Sequence, residues 1–347
     1  MPDNEFETNQ NTELQNKPEE AAEQPAPVSN TVEAAAAEAR TPEAKPKKSR
    51  KFVWILKAFG YFALYYGILL AVNFAAEFVY AFGYVMNSGS ELDFDALMTY
   101  VIDAIYSNAM TITIISDIFV AAVFALFILL TKRSPAREDN RGLFTKISAG
   151  SILTCFFMGF CANGTLTIAI NLLSLTGIIP DSLLENYSQT TTVYTAGGIV
   201  PYIIGGIILA PIIEELVFRG FMVTRMRHAL PAWLSVIFAG IIFGVFHGNV
   251  FQAIYASLLG FMLGAVFVKY NSIYASVLCH FGFNLVSLPP YLVALYGKSL
   301  AENAVYNTVY EAVAYISVPV FIALLFVCFF MPKKKAVGGD DLSPMNE

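Results

Sequence analysis

The sequence predicts an all-α, polytopic membrane protein: a bundle of about eight transmembrane helices behind a disordered amino-terminal tail. Three observations predict it. Hydrophobic residues make up 56% of the 347 positions and charged ones 14%, and the mean hydropathy is +0.58; a soluble domain carries about 25% charged residues. Apolar runs of roughly 18 residues or more follow one another, each long enough to cross a bilayer as a helix. Basic residues collect in alternate connections between those runs.

In chain order, residues 1–50 come first. Within residues 1–43 ten acids stand against only Lys17 and Arg40, among many Ala, Pro, Gln and Asn. Such a segment buries too little apolar area to offset its ordering entropy, so a disordered, acidic cytoplasmic tail is expected. No secretory signal peptide is expected in so polar a stretch. The transmembrane domain is expected over 51–336, with spans near 53–83, 109–130, 147–173, 199–224, 231–250, 252–268, 273–295 and 311–331. The first is long for one crossing and is expected to tilt or to continue along the interface. Residues 337–347 make a short cytoplasmic tail.

Orientation follows from the connections. "KPKKSRK" (Lys45 to Lys51) precedes the first span and "TKRSPAREDNR" (Thr131 to Arg141) follows the second. Arg225 and Arg227 follow the fourth, Lys269 the sixth and "PKKK" (Pro332 to Lys335) the eighth. The intervening "NSGSELDFD" (Asn87 to Asp95) and "PDSLLENYSQ" (Pro180 to Gln189) are acidic or neutral. With eight spans every basic connection falls on one face, which puts both termini in the cytoplasm of a multi-pass cell-membrane protein.

The remaining polar and small residues of the spans have plain readings. Cys155, Cys161, Cys279 and Cys328 match neither a CxxC pair nor a zinc-ribbon pattern and read as packing residues. Gly240 with Gly244, and Gly260 with Gly264, have the GxxxG spacing that lets helices approach closely. His228 reads as interfacial, and Glu77 and Asp117 as structural or interfacial. Asn73, Asn163 and Asn171 read as interhelical hydrogen-bond partners.

"PIIEELVFRG", residues 211–220, is different. A charge at the centre of a bilayer costs roughly 2.5 kcal/mol or more, so it needs a partner or a purpose. Glu215 and Arg219, four apart, share a helix face and can pair. Glu214 is turned by about 100° and points elsewhere. Pro211, one turn earlier, removes a backbone donor and loosens the helix there. Two of the three histidines, His247 in "FGVFHGN" and His280 in "VLCHFGFN", lie in later spans, and Asn284 follows His280 by one turn.

Two chemistries are open to this set. A carboxylate in a dry pocket is a better base, and a neighbouring imidazole can share or orient the proton of a bound water. A second His with Asn can then hydrogen-bond the oxyanion formed when water attacks an amide. Alternatively Glu214, His247 and His280 are a donor set for a divalent metal such as zinc, which takes three protein ligands in catalytic sites. The HExxH pattern is absent, so that reading draws its ligands from separate helices.

The same residues resemble a known family. "EELVFR" (Glu214 to Arg219) fits E-E-x-x-x-R, "FGVFH" (Phe243 to His247) fits F-x-x-x-H, and "HFGFN" (His280 to Asn284) fits H-x-x-x-N. The ordered set resembles the CPBP family of intramembrane proteases, which includes the type II CAAX prenyl endopeptidases and the bacterial Abi or bacteriocin-immunity proteins. The resemblance covers about residues 200–290. It implies an eight-helix core that cleaves peptide bonds at or within the membrane. By that resemblance Glu214 and His247 activate water, His280 and Asn284 stabilise the oxyanion, and Glu215, Arg219 and Phe243 support them. The family has been described both as metalloprotease and as using a metal-free glutamate mechanism, and both stay open here.

The expected function is therefore an intramembrane endopeptidase acting on a membrane-associated or prenylated-type peptide or protein. Its expected partners are that substrate and the lipid bilayer, not nucleic acid. Two alternatives are a non-catalytic scaffold or immunity protein of the same fold and a proton-coupled transporter using Glu214 and the histidines as a relay.

Overall fold

Long apolar helices, with no strand beyond the isolated bridge between Phe144 and Ser272, make up the described part of the protein. The computed structural model describes residues 51–89, 92–131, 143–297 and 302–330. The chain divides into Met1–Lys48 and Ser49–Glu347, and every described residue belongs to the second unit. The tails expected at 1–50 and 337–347 lie outside the described residues.

The all-α membrane architecture is as the sequence predicts. Among the described residues seven helices are long and apolar enough to cross a bilayer. They are α1 (Lys51–Asn87), α3 (Ala109–Thr131), α4 (Ala149–Leu175), α6 (Ile199–Met226), α8 (Val250–Tyr270), the segment Ile273–Val293 and α11 (Ala304–Phe330), numbered among all the helices described below. The eighth expected span is the apolar α7 (Ala232–Phe246), of 15 residues. At 1.5 Å per residue it is about 22 Å long, short of a hydrocarbon core of about 30 Å. One of its ends therefore falls within that thickness.

Three boundaries differ from the expected ones for local reasons. The seventh span, expected as one helix, is two: α9 (Ile273–Leu285) and α10 (Leu288–Tyr296). Pro289 and Pro290 fill the first helical positions of α10 and cannot donate backward, so α9 ends before them. The two acidic connections also hold helices, α2 (Phe94–Ser107) and α5 (Asp181–Thr195). Asp93 caps α2 by accepting from the amides of Asp95 and Ala96 at 3.0 and 3.2 Å. Both are too polar or too short to register as spans.

Close packing concentrates where the small residues lie. α7 lies against α8, and α4 lies against both α9 and α11. Gly260 faces the backbone of Gly240, so the two GxxxG pairs do form one contact. A methyl at Gly159 of α4 would overlap the Cys279 carbonyl of α9. Asn163 donates from α4 to the Phe283 carbonyl of α9 at 2.9 Å, the interhelical role expected of it. Asn73 instead donates to Leu69 in its own helix, at 2.9 Å, and Asn171 is exposed. The four cysteines are buried and form no disulfide. His228 is exposed and stacks on Trp54 with ring centroids 4.2 Å apart.

This packing carries a direct test. Gly159→Ala is expected to lower the stability of the folded protein by about 1–3 kcal/mol, the cost of overpacking a tight contact. Thermal unfolding of the purified protein in detergent would show it as a lowered midpoint.

Candidate active site

The site begins with an irregular helix. α6 is not α-helical throughout: Tyr202–Leu209 and Leu216–Val223 are π-helical, flanking an α-helical turn at Ala210–Glu215. The first irregularity has a readable cause. The Ala210 amide donates to the Gly205 carbonyl, five residues back. In that register the next carbonyl, Gly206, would receive its hydrogen from residue 211, and Pro211 has none. Asn284 takes the vacancy, its side-chain amide donating to the Gly206 carbonyl at 2.9 Å. The proline thus creates the acceptor that holds Asn284, leaving the second amide hydrogen of that side chain for other work.

The second irregularity is mended by side chains. Thr224 donates its hydroxyl to the Arg219 carbonyl at 2.9 Å, and Arg225 donates to the Gly220 carbonyl at 3.1 Å. Arg225 is only 3% exposed and lies over the rings of Tyr61 and Phe221, so this connection residue is part of the packed end of α6.

Glu215 and Arg219 form the expected pair, with Arg219 Nη1 2.6 Å from Glu215 Oε1 and both side chains sealed from solvent. Arg219 Nη2 also donates to the Gly260 carbonyl at 2.9 Å, which ties α6 to the close contact between α7 and α8. The guanidinium lies 4.9 Å from the centre of the Phe243 ring, within cation–π range. Phe243 in turn meets both imidazoles edge-on, its centroid 4.9 Å from that of His247 and 5.7 Å from that of His280.

His280 sits between the two glutamates. Its Nδ1 is 3.0 Å from Glu215 Oε1, and its Nε2 is 3.8 Å from Glu214 Oε2. A carboxylate already paired with Arg219 can only accept, so His280 Nδ1 carries the hydrogen of that bond. His247 Nδ1 is 2.7 Å from the Phe243 carbonyl, which also only accepts, so its hydrogen is likewise on Nδ1. Each ring therefore keeps Nε2 for other partners. Glu214 is 14% exposed, where Glu215 is 0%. The separation of 3.8 Å is too long for a direct hydrogen bond and short enough for one water to touch both atoms.

The structure thus brings Glu214, Glu215 and Arg219 to His280, and Phe243 links Arg219 and His280 to His247, with Asn284 one turn from His280. It also adds residues that the sequence did not single out for the site. Asp117 of α3 is 3% exposed, and its Oδ2 has no hydrogen-bond partner among the described residues. Asp117 and Glu214 interact electrostatically, and the buried Tyr65 of α1 feels both. On α5, the Tyr194 phenol feels the charge of Glu214. A lone Asp in an apolar run and tyrosines without a motif give no sequence signal of this proximity. Glu77, read together with Asp117, is exposed on α1.

Glu214, His247 and His280 were also the donor set for a metal. Among the described residues no three His, Cys, Asp or Glu side chains are gathered closely enough to hold an ion.

Arg219→Met would leave Glu215 buried and uncompensated. The expected loss of stability is about 3–5 kcal/mol, with partial recovery in the double variant Arg219→Met/Glu215→Gln. Thermal unfolding of the three proteins checks this.

Comparison with curated proteins and with solved structures gives no match. Residues 196–286 do match a family model, that of the Rce1-like type II CAAX prenyl endopeptidases, and this matched segment holds Glu214, Glu215, Arg219, Phe243, His247, His280 and Asn284.

Proposed function

We propose that this multi-pass membrane protein is an intramembrane endopeptidase, and that Glu214 is its base. The observation that supports this most is the division between adjacent carboxylates. Glu215 is sealed and fixed by Arg219 and His280, while Glu214 is partly exposed and faces His280 Nε2. The likeness of residues 196–286 to prenyl endopeptidases points the same way. The basic connections favour cytoplasmic termini in the cell membrane.

Charge balance suggests how the site is set. Glu215 and Arg219 cancel each other, and one proton shared by Glu214 and His280 keeps the whole cluster neutral, the least costly state inside a bilayer. With that proton on His280, Glu214 is ionised and can take a proton from a water beside it. The water oxygen bonds to the amide carbon as its O–H breaks toward Glu214. His247 Nε2 accepts from the same water. The oxyanion receives hydrogen bonds from His280 Nε2 and from the second amide hydrogen of Asn284. The carbon–nitrogen bond then breaks, and Glu214 returns its proton to the leaving amine. Phe243 keeps the two imidazoles apart and Arg219 in place.

The test is cleavage of a panel of prenylated and unprenylated peptides by the purified full-length protein. Glu214→Gln is expected to lower the rate by about 10²–10⁴-fold. Asn284→Ala, which loses an oxyanion donor, is expected to lower kcat by about 10²–10³-fold. Equal cleavage by wild type and Glu214→Gln would refute the reading.

A further inference from the structure

A cavity of about 500 Å³ lies between α5 and the turn that follows α7. Tyr106, Asn186, Gln189, Thr190, Val193 and Asn249 are among the residues that line it. Its volume is within the range of ligand sites. Two of its lining residues are chain neighbours of residues tied to the candidate site. Gly248, also in the lining, directly follows His247 and has a positive φ of 72°, with open space where a side chain would stand. Tyr194, next to Val193, feels the charge of Glu214.

The walls are held and the floor is polar. Asn249 caps α8 by accepting from the Gln252 amide at 3.0 Å and donates to the Thr190 hydroxyl at 3.3 Å, tying the turn to α5. Tyr187 of α5 and Tyr255 of α8 add a second tie, with hydroxyls 3.1 Å apart. Asn186 and Gln189 are exposed, one turn apart on α5. Side-chain amides of this kind carry both donors and acceptors and match the alternating groups of a peptide main chain. Among the described residues no Lys, Arg, Asp or Glu lines the cavity. α5 itself carries Asp181 and Glu185 and no basic residue.

We propose that this cleft binds an uncharged, extended stretch of the substrate polypeptide and leads it to Glu214 and His247. The proposal rests on the endopeptidase reading and adds to it a substrate property. With no cation among the described lining residues, and two acids on α5, the cleft offers no charge to pair with a free α-carboxylate. The protein cuts without needing the scissile bond to lie at a free carboxyl end.

Two measurements on the full-length protein test this, using one neutral fluorogenic peptide made as the free acid and as the carboxamide. Wild type is expected to cleave both with kcat/KM equal within about threefold, where a site that paired with the carboxylate would favour the acid by about tenfold or more. Asn186→Leu/Gln189→Leu is expected to raise KM about tenfold or more with kcat kept, since neutral hydrogen bonds to a substrate are worth about that. A strong preference for the acid, or an unchanged KM in the double variant, would overturn the cleft while Glu214-dependent cleavage kept the endopeptidase reading. The second measurement is photo-cross-linking of the carboxamide in a Glu214→Gln background. A photoreactive phenylalanine analogue replaces Gln189 in one protein and, as control, Trp233, which is 63% exposed at the other end of α7. Capture from position 189 alone supports the cleft even if wild type cleaves nothing, an outcome that would remove the endopeptidase reading by itself. Capture from both positions or from neither would overturn the cleft.

Discussion

A carboxylate and a guanidinium buried together inside an apolar bundle constrain everything around them. Glu215 and Arg219 cannot be left unpaired there, and pairing alone does not satisfy them. Arg219 reaches the Gly260 carbonyl of α8, at the point where α7 and α8 approach closely through Gly240 and Gly260. The flat face of the guanidinium rests on Phe243, and the same Glu215 oxygen that receives Arg219 receives His280. Glu215 Oε2 and Arg219 Nε have no hydrogen-bond partner among the described residues. The pair is therefore not optimised for stability. Its position explains it better: it fixes one imidazole, in one tautomer, beside a second carboxylate.

Backbone irregularity does the complementary work. A regular α-helix would satisfy every carbonyl of α6 internally and offer none to a neighbour. The wide turn before Pro211 instead leaves the Gly206 carbonyl to Asn284, which locks α9 against α6 through the residue whose second hydrogen the proposed chemistry uses. Irregular turns of this type recur at functional sites for this reason: they release backbone groups without unfolding the helix. In the same helix the step of about 100° between Glu214 and Glu215 separates the reactive carboxylate from the structural one.

Much of this was legible in the sequence, because the constraints are local. Spacing of four gave the Glu215–Arg219 pair, rotation gave the divergence of Glu214, and Pro211 marked where α6 departs from regularity. Apolar length placed most of the spans, and GxxxG spacing placed the contact of α7 with α8. What was not legible depends on distant parts of the chain. His280 was expected near the oxyanion, but its bond to Glu215 joins residues 65 apart in sequence. Asp117 and Tyr194 come within electrostatic reach of Glu214 only through the folding of α3 and α5 onto the bundle. The helices α2 and α5 were missed because the first is amphipathic and only 14 residues long and the second is polar, so neither carries a span-length apolar run. The shortness of α7 was missed because "HGN" reads as a continuation until the positive φ of Gly248 shows the turn.

The division of labour between adjacent glutamates is the claim on which the account turns. The most direct measurement is to compare Glu214→Gln and Glu215→Gln for both cleavage and thermal unfolding in the same membrane mimic. The account predicts that Glu214→Gln loses cleavage and keeps the unfolding midpoint of wild type, whereas Glu215→Gln lowers the midpoint because Arg219 loses its counter-charge. A Glu214→Gln protein that is active, or a Glu215→Gln protein as stable as wild type, would contradict it.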